Sequence, residues 1–318
     1  MKLGTRYRGY PRFPLGEPGR RALLHILFIV TAALFLSACG DIGTPDSPYL
    51  SAVFEYQYGP GQHASSVEQA DAESCVGEPG SAALALGGWG GYVTAGFDHV
   101  VANADGFDFA VVAQGGFGSE PGVVFVMEDA DGNGIPDETW YELSGSETDA
   151  DYSAETENPL DRYIRDYEVT YTKAASDSDN VAWTDNQGNA GELECGYPED
   201  TTSASWWIED WGDSLTLSGV KLPDCRALSG SSWIDYEDRF TRGYAENYGG
   251  SDYVVLGDYA VNRFDISDAV DAAGNPVTLD GIVFIRIQTG VFQRTGALNE
   301  VSTEIRGAAD LSLVDWED

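Results

Sequence analysis

One stretch of the chain carries oxygen at four of five alternate side chains. In Asp129-Ala130-Asp131-Gly132-Asn133-Gly134-Ile135-Pro136-Asp137, oxygen-bearing side chains fall at positions 1, 3, 5 and 9, glycine at 6, and a backbone carbonyl is available at 7, on Ile135. Alternation aims successive carboxylates and amides at one centre, and Gly134 permits the sharp turn this requires. Calcium, a hard cation taking about six to eight oxygens, suits such a donor set. The expected ligands are Asp129, Asp131, Asn133, the Ile135 carbonyl and Asp137, with Ca2+ as the ion. Position 12 is Trp140, not a bidentate glutamate, so Glu128, Glu138 or Glu142 would have to complete the shell. The competing reading is an acidic hairpin of Asx-turns that holds no metal.

A second group is aromatic and acidic: Trp206, Trp207, Glu209, Asp210 and Trp211, then Trp233, Asp235 and Tyr236. Trp206, Trp207, Trp211, Trp233 and Tyr236 could stack on a sugar ring or a flat macrocycle while neighbouring carboxylates bond its rim. They could equally be core aromatics. Paired carboxylates also permit glycoside hydrolysis, but no spacing among so many acids selects two of them.

Other chemistry finds little support. Past residue 38 only His63 and His99 remain, and there is no C-x-x-C or H-E-x-x-H, which argues against zinc and His-dependent hydrolysis. The glycines of Leu86-Gly87-Gly88-Trp89-Gly90-Gly91-Tyr92 lack the Gly-Lys-Ser/Thr ending of a phosphate loop and read as tight β-turns. Asp98 and Asp108 fit turn caps, with cation ligation as the alternative.

These residues must be positioned by strands. From Val53 onward short apolar runs alternate with Gly/Asp/Asn turns, and helical periodicity is nearly absent. Strands are expected at 92–97, 107–113, 123–128, 139–143, 167–172, 214–217, 253–257 and 282–288, and one helix at 266–273. Val123–Met127 is apolar throughout, as expected of a strand buried on both faces. In the last strand Val283, Ile285 and Ile287 should face one way, with Arg286 and Gln288 facing the other. Residues 145–162 and 174–200 read as long acidic surface loops. The expected fold is all-β, a β-sandwich of jelly-roll type with long acidic loops.

The N-terminus sets the compartment. Lys2, Arg6, Arg8, Arg12, Arg20 and Arg21 precede an apolar run from Ala22 to Phe35, and Leu36-Ser37-Ala38-Cys39 follows. A basic region, an apolar region and small residues make an export signal. The Leu-Ser-Ala-Cys ending resembles the bacterial lipobox, which implies cleavage before Cys39 and acylation of its thiol. A plain signal peptide or a membrane anchor is the alternative. The expected organisation is a lipoprotein signal peptide at 1–38, a lipidated tether at 39–52 and a β-sandwich domain at 53–318. The signal holds six of the 17 Lys+Arg and one of the 53 Asp+Glu, leaving 11 basic and 52 acidic residues and a net charge near −41. That charge repels nucleic acid and anionic lipid headgroups and suits divalent cations. Eight Trp, 17 Tyr and 13 Phe argue against acid-rich disorder. Outside the cytoplasm a disulfide is allowed, and Cys195 with Cys225 is the expected pair, leaving Cys75 free.

Two resemblances add to this. The acidic loop is similar to the D-x-D-x-N-G loops of thrombospondin-type and EF-hand-like calcium repeats. Leu86-Gly-Gly-Trp-Gly-Gly-Tyr92, Gly96-Phe-Asp-His-Val-Val-Ala-Asn103, Gly106-Phe-Asp-Phe-Ala-Val-Val112, Ser119-Glu-Pro-Gly-Val-Val124 and Trp140-Tyr-Glu-Leu-Ser-Gly-Ser-Glu147 resemble a family of bacterial cell-surface lipoproteins, often carrying PKD modules. Trp183-Thr-Asp-Asn186 and Val301-Ser-Thr-Glu-Ile-Arg-Gly307 extend the likeness. Some relatives lie near vitamin B12 uptake genes, which implies corrinoid capture. The expected function is therefore a calcium-stabilised, non-catalytic module on the outer membrane or surface of a Gram-negative cell. It would capture a glycan or a corrinoid, with an outer-membrane transporter as a further partner. A structural or adhesive surface protein is the alternative, and a carboxylate-dependent glycoside hydrolase a minor one.

Overall fold

Val, Ile, Phe and Tyr concentrate in short runs whose alternate residues turn to opposite faces, and these runs pair wholly antiparallel. In the computed structural model the described residues are 47–61, 69–114, 118–150, 161–176, 179–193, 207–229, 232–235, 240–257, 259–293, 302–314 and 316. In chain order the strands are β1 (Ala52–Gln57), β2 (Leu84–Ala85), β3 (Tyr92–Ala102), β4 (Phe109–Ala113), β5 (Gly122–Met127) and β6 (Tyr141–Leu143). Next come β7 (Ile164–Thr172), β8 (Val181–Asp185), β9 (Ala190–Leu193), β10 (Ser214–Lys221), β11 (Arg226–Ser229) and β12 (Ser232–Asp235). The chain closes with β13 (Tyr253–Leu256), β14 (Tyr259–Phe264), β15 (Ala269–Val270), β16 (Gly281–Thr289) and β17 (Glu304–Asp310).

A six-stranded sheet, ordered β1-β3-β16-β5-β6-β15, packs on a five-stranded sheet, ordered β13-β14-β4-β17-β2. Val93, Ala95 and Phe97 of the first sheet meet Phe109, Val111, Phe264 and Ile305 of the second in one buried core. This is the all-β sandwich expected from the sequence. Its strand count exceeds the four-plus-four of a simple jelly roll, because a four-stranded sheet, β10-β7-β8-β9, and a hairpin, β11-β12, are added. Among the described residues no helix is long and apolar enough to cross a membrane.

The added sheet explains the wholly apolar β5. Val124 and Val126 face the sandwich core. Val123 and Phe125 face the other way, onto Val220, Leu222, Phe240 and Tyr244. β5 is thus covered on both sides, as its composition requires. The Gly-rich turn anchors the cover. Trp89 is buried against Tyr167, Tyr171 and Leu217, donates its indole N–H to Val220 O at 3.2 Å, and its own carbonyl accepts from Tyr171 at 3.0 Å.

Four expectations need correction. The helix at 266–273 is a 3₁₀ turn, Ile266–Asp268, followed by β15; Asp265 caps the turn by accepting from Ser267 N, and the Gly274-Asn275 turn leaves no room to propagate. The supposed loop 174–200 contains β8 and β9, whose Ala182, Thr184, Ala190 and Glu192 face solvent while Val181 faces the core. A bulge between Ile282 and Phe284 shifts the register of β16, so Ile282, Ile285 and Ile287 enter the core while Val283 stays half-buried. The tether does not extend to 52: Leu50 is buried, Pro48 O accepts from Asp310 N, and β1 begins at Ala52. Asp108 is a cap, accepting from Ala104 N and Ile266 N, both at 2.8 Å.

Glu246 sits where the two main sheets meet. It is buried with φ 51°, and its carboxylate accepts from Glu304 N at the start of β17 and from Tyr248 at 3.2 Å. Burial, then the Glu120 carboxylate, push its pKa well above the ordinary value. The folded state therefore favours the protonated form. The stability this gives is complete below the ordinary carboxylate range and is lost as pH rises through the raised folded value. Glu246→Gln imitates the protonated carboxyl. Its urea midpoint should match wild type near pH 4.5, the ordinary value, and exceed it increasingly as pH rises. A difference that stays constant with pH would show that Glu246 does not titrate this way.

Candidate functional site

The acidic loop joins β5 to β6, and the pairing of Phe125 with Glu142 and Val126 with Tyr141 clamps its ends. Gly132 and Gly134, at φ 71° and 72°, take the left-handed conformation that lets the chain double back. The loop is then wired by its own side chains. Asp129 accepts from Asn133 N and Gly134 N, each at 3.0 Å, and Asp131 accepts from Asn133 N at 3.1 Å. Asn133 accepts from Ile135 N at 2.6 Å and donates to Asp131 at 3.1 Å and Asp137 at 3.4 Å. The Ile135 carbonyl accepts from Asp137 N at 2.9 Å.

Carboxylate oxygens of Asp129, Asp131 and Glu138 lie within 4.8 Å of one another. Of the three glutamates the sequence left open, Glu138 is the one that lies beside Asp129 and Asp131. One of its oxygens accepts from Ala130 N at 2.9 Å and Asp131 N at 3.3 Å. The other, Oε2, is buried and meets no donor among the described residues. No ion pair reaches the three carboxylates among the described residues. Clustered acids without a cationic partner, one with an orphaned buried oxygen, fit a hard divalent cation.

Glu142 belongs elsewhere, to a cleft between the six-stranded sheet and the added sheet. The cleft has a volume of about 440 Å³. Phe125, Trp140, Glu142, Arg286 and Gln288 line it from the first, and Arg165, Tyr167, Glu168 and Ser218 from the second. Glu142 accepts from Tyr163 OH at 2.7 Å and from Arg165 Nε at 3.1 Å. Burial holds its carboxyl above the usual range, against the pull of Tyr163 and Arg165. With Tyr163 and Arg165 on its oxygens, Glu142 positions Arg165. Arg165 also lies against Tyr163, its guanidinium 5.4 Å from the ring centroid. The Arg286 guanidinium lies over Trp140 at 4.8 Å and Tyr92 at 4.4 Å from the ring centroids, and reaches Glu55 at 3.1 Å. Neither arginine stands out in sequence, although Arg286 and Gln288 interrupt an otherwise apolar strand on one face.

Trp207 and Trp211, the described side chains of the aromatic group, pack into the added sheet and not on an open stacking face. Trp207 is 4% exposed, donates to Gly212 O at 2.7 Å, and meets Trp211 edge-on at 5.2 Å inside the core of the added sheet. Trp233 lies on β12 opposite Leu228, with its side chain outside the described residues. Trp206, Tyr236, Cys39 and Cys195 also lie outside them. Cys225, the expected partner of Cys195, is buried, and Gln293 Nε2 donates to its sulfur at 3.1 Å. Cys75 is a free buried thiol whose pKa burial pushes up to about 12.

No protein-family model matches the chain, and no characterised protein matches it significantly.

Gln288 ties the two walls of the cleft together. Its amide donates to Gly90 O at 3.2 Å and Ser218 O at 3.0 Å and accepts from Val220 N at 3.4 Å. Gln288→Ala leaves buried backbone groups unsatisfied, so a loss of about 3 kcal/mol in urea unfolding is expected. A loss below about 0.5 kcal/mol, the scale of a surface substitution, would show that the seam does not depend on this amide.

Proposed function

We propose that the chain is a calcium-stabilised cell-surface lipoprotein, anchored through Cys39, that acts as a non-catalytic ligand-binding module. The observation that carries the calcium reading is the orphaned Glu138 Oε2 beside Asp129 and Asp131. Asp129, Asp131 and Glu138 would hold the ion, with Asn133 and Asp137 wired to them. Bound calcium supplies a divalent charge that offsets three crowded carboxylates. A chain with a net charge of −36 gains from this beyond the loop itself. The Leu-Ser-Ala-Cys39 ending supports the lipid anchor on a Gram-negative envelope, and the cleft beside the loop supports capture of a small molecule or glycan for an outer-membrane transporter.

Thermal melting of the full-length chain in detergent tests the calcium reading. Calcium at 100 times its dissociation constant should add about 2.7 kcal/mol relative to EDTA. Asp129→Ala with Asp131→Ala should abolish that gain. A double variant that responds to calcium like wild type would place the ion elsewhere.

A further inference from the structure

We infer that the cleft beside the calcium loop is a binding site for a neutral saccharide. The inference rests on the reading of the chain as a capture module and names what it captures. Size is the first constraint. A cavity of about 440 Å³ falls at the lower end of small-molecule sites, which run from roughly 300 to 1,000 Å³. One or two sugar rings fit that space. A corrinoid, with four pyrrole-derived rings and its peripheral amides, does not.

Charge is the second constraint. Glu142, Asp166, Glu168 and Asp271 line the cleft against two arginines. Both arginines already face carboxylates, Arg165 on Glu142 and Arg286 on Glu55. The cleft therefore has no surplus positive charge with which to hold an anion, and the acidic chain around it repels one.

Hydrogen-bonding capacity is the third, and it separates a neutral polyol from a cation. Ser218, Asn186, Arg165 and Arg286 place donors on the walls, and Asp166 and Glu168 place acceptors there, so an occupant that offers both lone pairs and hydrogens matches the lining. An ammonium group has no lone pair. A hydroxyl accepts from a wall donor and donates to a carboxylate in the same site. Trp140 and Phe125 supply aromatic surface for the C–H faces of a sugar ring, as half-buried rings in binding sites do.

Calorimetric titration of the full-length chain in calcium tests this. The probes are cellobiose, maltose, lactose, xylobiose, mannobiose and chitobiose, with a uronic-acid disaccharide and cobalamin for comparison. At least one neutral disaccharide should bind saturably. Trp140→Ala should weaken it roughly tenfold, and Arg165→Gln similarly. Val255→Ser, an exposed change on the opposite sheet, should leave binding unaltered. In case a cleft variant misfolds, the indole N–H resonance of Trp140 in the unmodified chain gives an independent readout, and it should shift on titration. Neutral-sugar binding that survives both cleft variants and leaves that resonance unmoved overturns the site but keeps the capture reading. Binding of cobalamin or the uronic acid alone overturns the saccharide and again keeps capture. No binding to any probe overturns both.

Discussion

The buried amide of Gln288 is the link on which the functional half of the molecule depends. It projects from the centre of the six-stranded sheet, away from the sandwich core, and bonds the Gly-rich turn at Gly90 and the added sheet at Ser218 and Val220. Gly219 is required opposite it, because a Cβ there would stand 1.8 Å from the Gln288 side-chain oxygen. One amide and one missing side chain thus set how closely the two sheets approach at this point, beside the apolar contacts of Val123 and Phe125 with Val220 and Leu222. Trp89 seals the seam with its indole in the core of the added sheet. The cleft is the space left where this seam ends and charged residues of β7 and β16 diverge.

The acidic loop and the cleft are not independent. One hairpin, β5 to β6, carries both: Asp129, Asp131 and Glu138 at its tip, Trp140 and Glu142 at its base. Only Thr139 separates Glu138 from Trp140. Order imposed on the tip would reach the ring that lines the cleft, since the short connection leaves few torsions to absorb a change. Arg286 holds that ring from the neighbouring strand. On the proposed reading, calcium held by the loop would preorganise the neighbouring cleft.

Much of this was legible in the sequence where local rules dominate. The apolar run of β5 announced burial on both faces, and the Asp-x-Asp-x-Asn-Gly spacing located the loop. The legibility ended where a distant partner decides the outcome. Glu138 could not be told from Glu128 or Glu142, because hairpin register sends Glu142 to Arg165 and leaves Glu138 over the loop. Trp207 and Trp211 looked like a binding face, since composition does not say that the added sheet needs a core of its own. The acids of 174–200 suggested a loop, although the strands there alternate small or polar residues on a wet face with Val181, Trp183 and Leu193 on the other. Arg165 drew no attention, because its meaning comes from a cleft that the sequence does not outline.

Terbium luminescence tests the central claim, that the cation loop and the cleft meet at Trp140. Terbium replaces calcium at oxygen sites and emits when an adjacent indole is excited. In the full-length chain, excitation of tryptophan should give terbium emission that calcium displaces and that Trp140→Phe largely removes. Absence of sensitised emission, or emission indifferent to Trp140→Phe, would contradict the account.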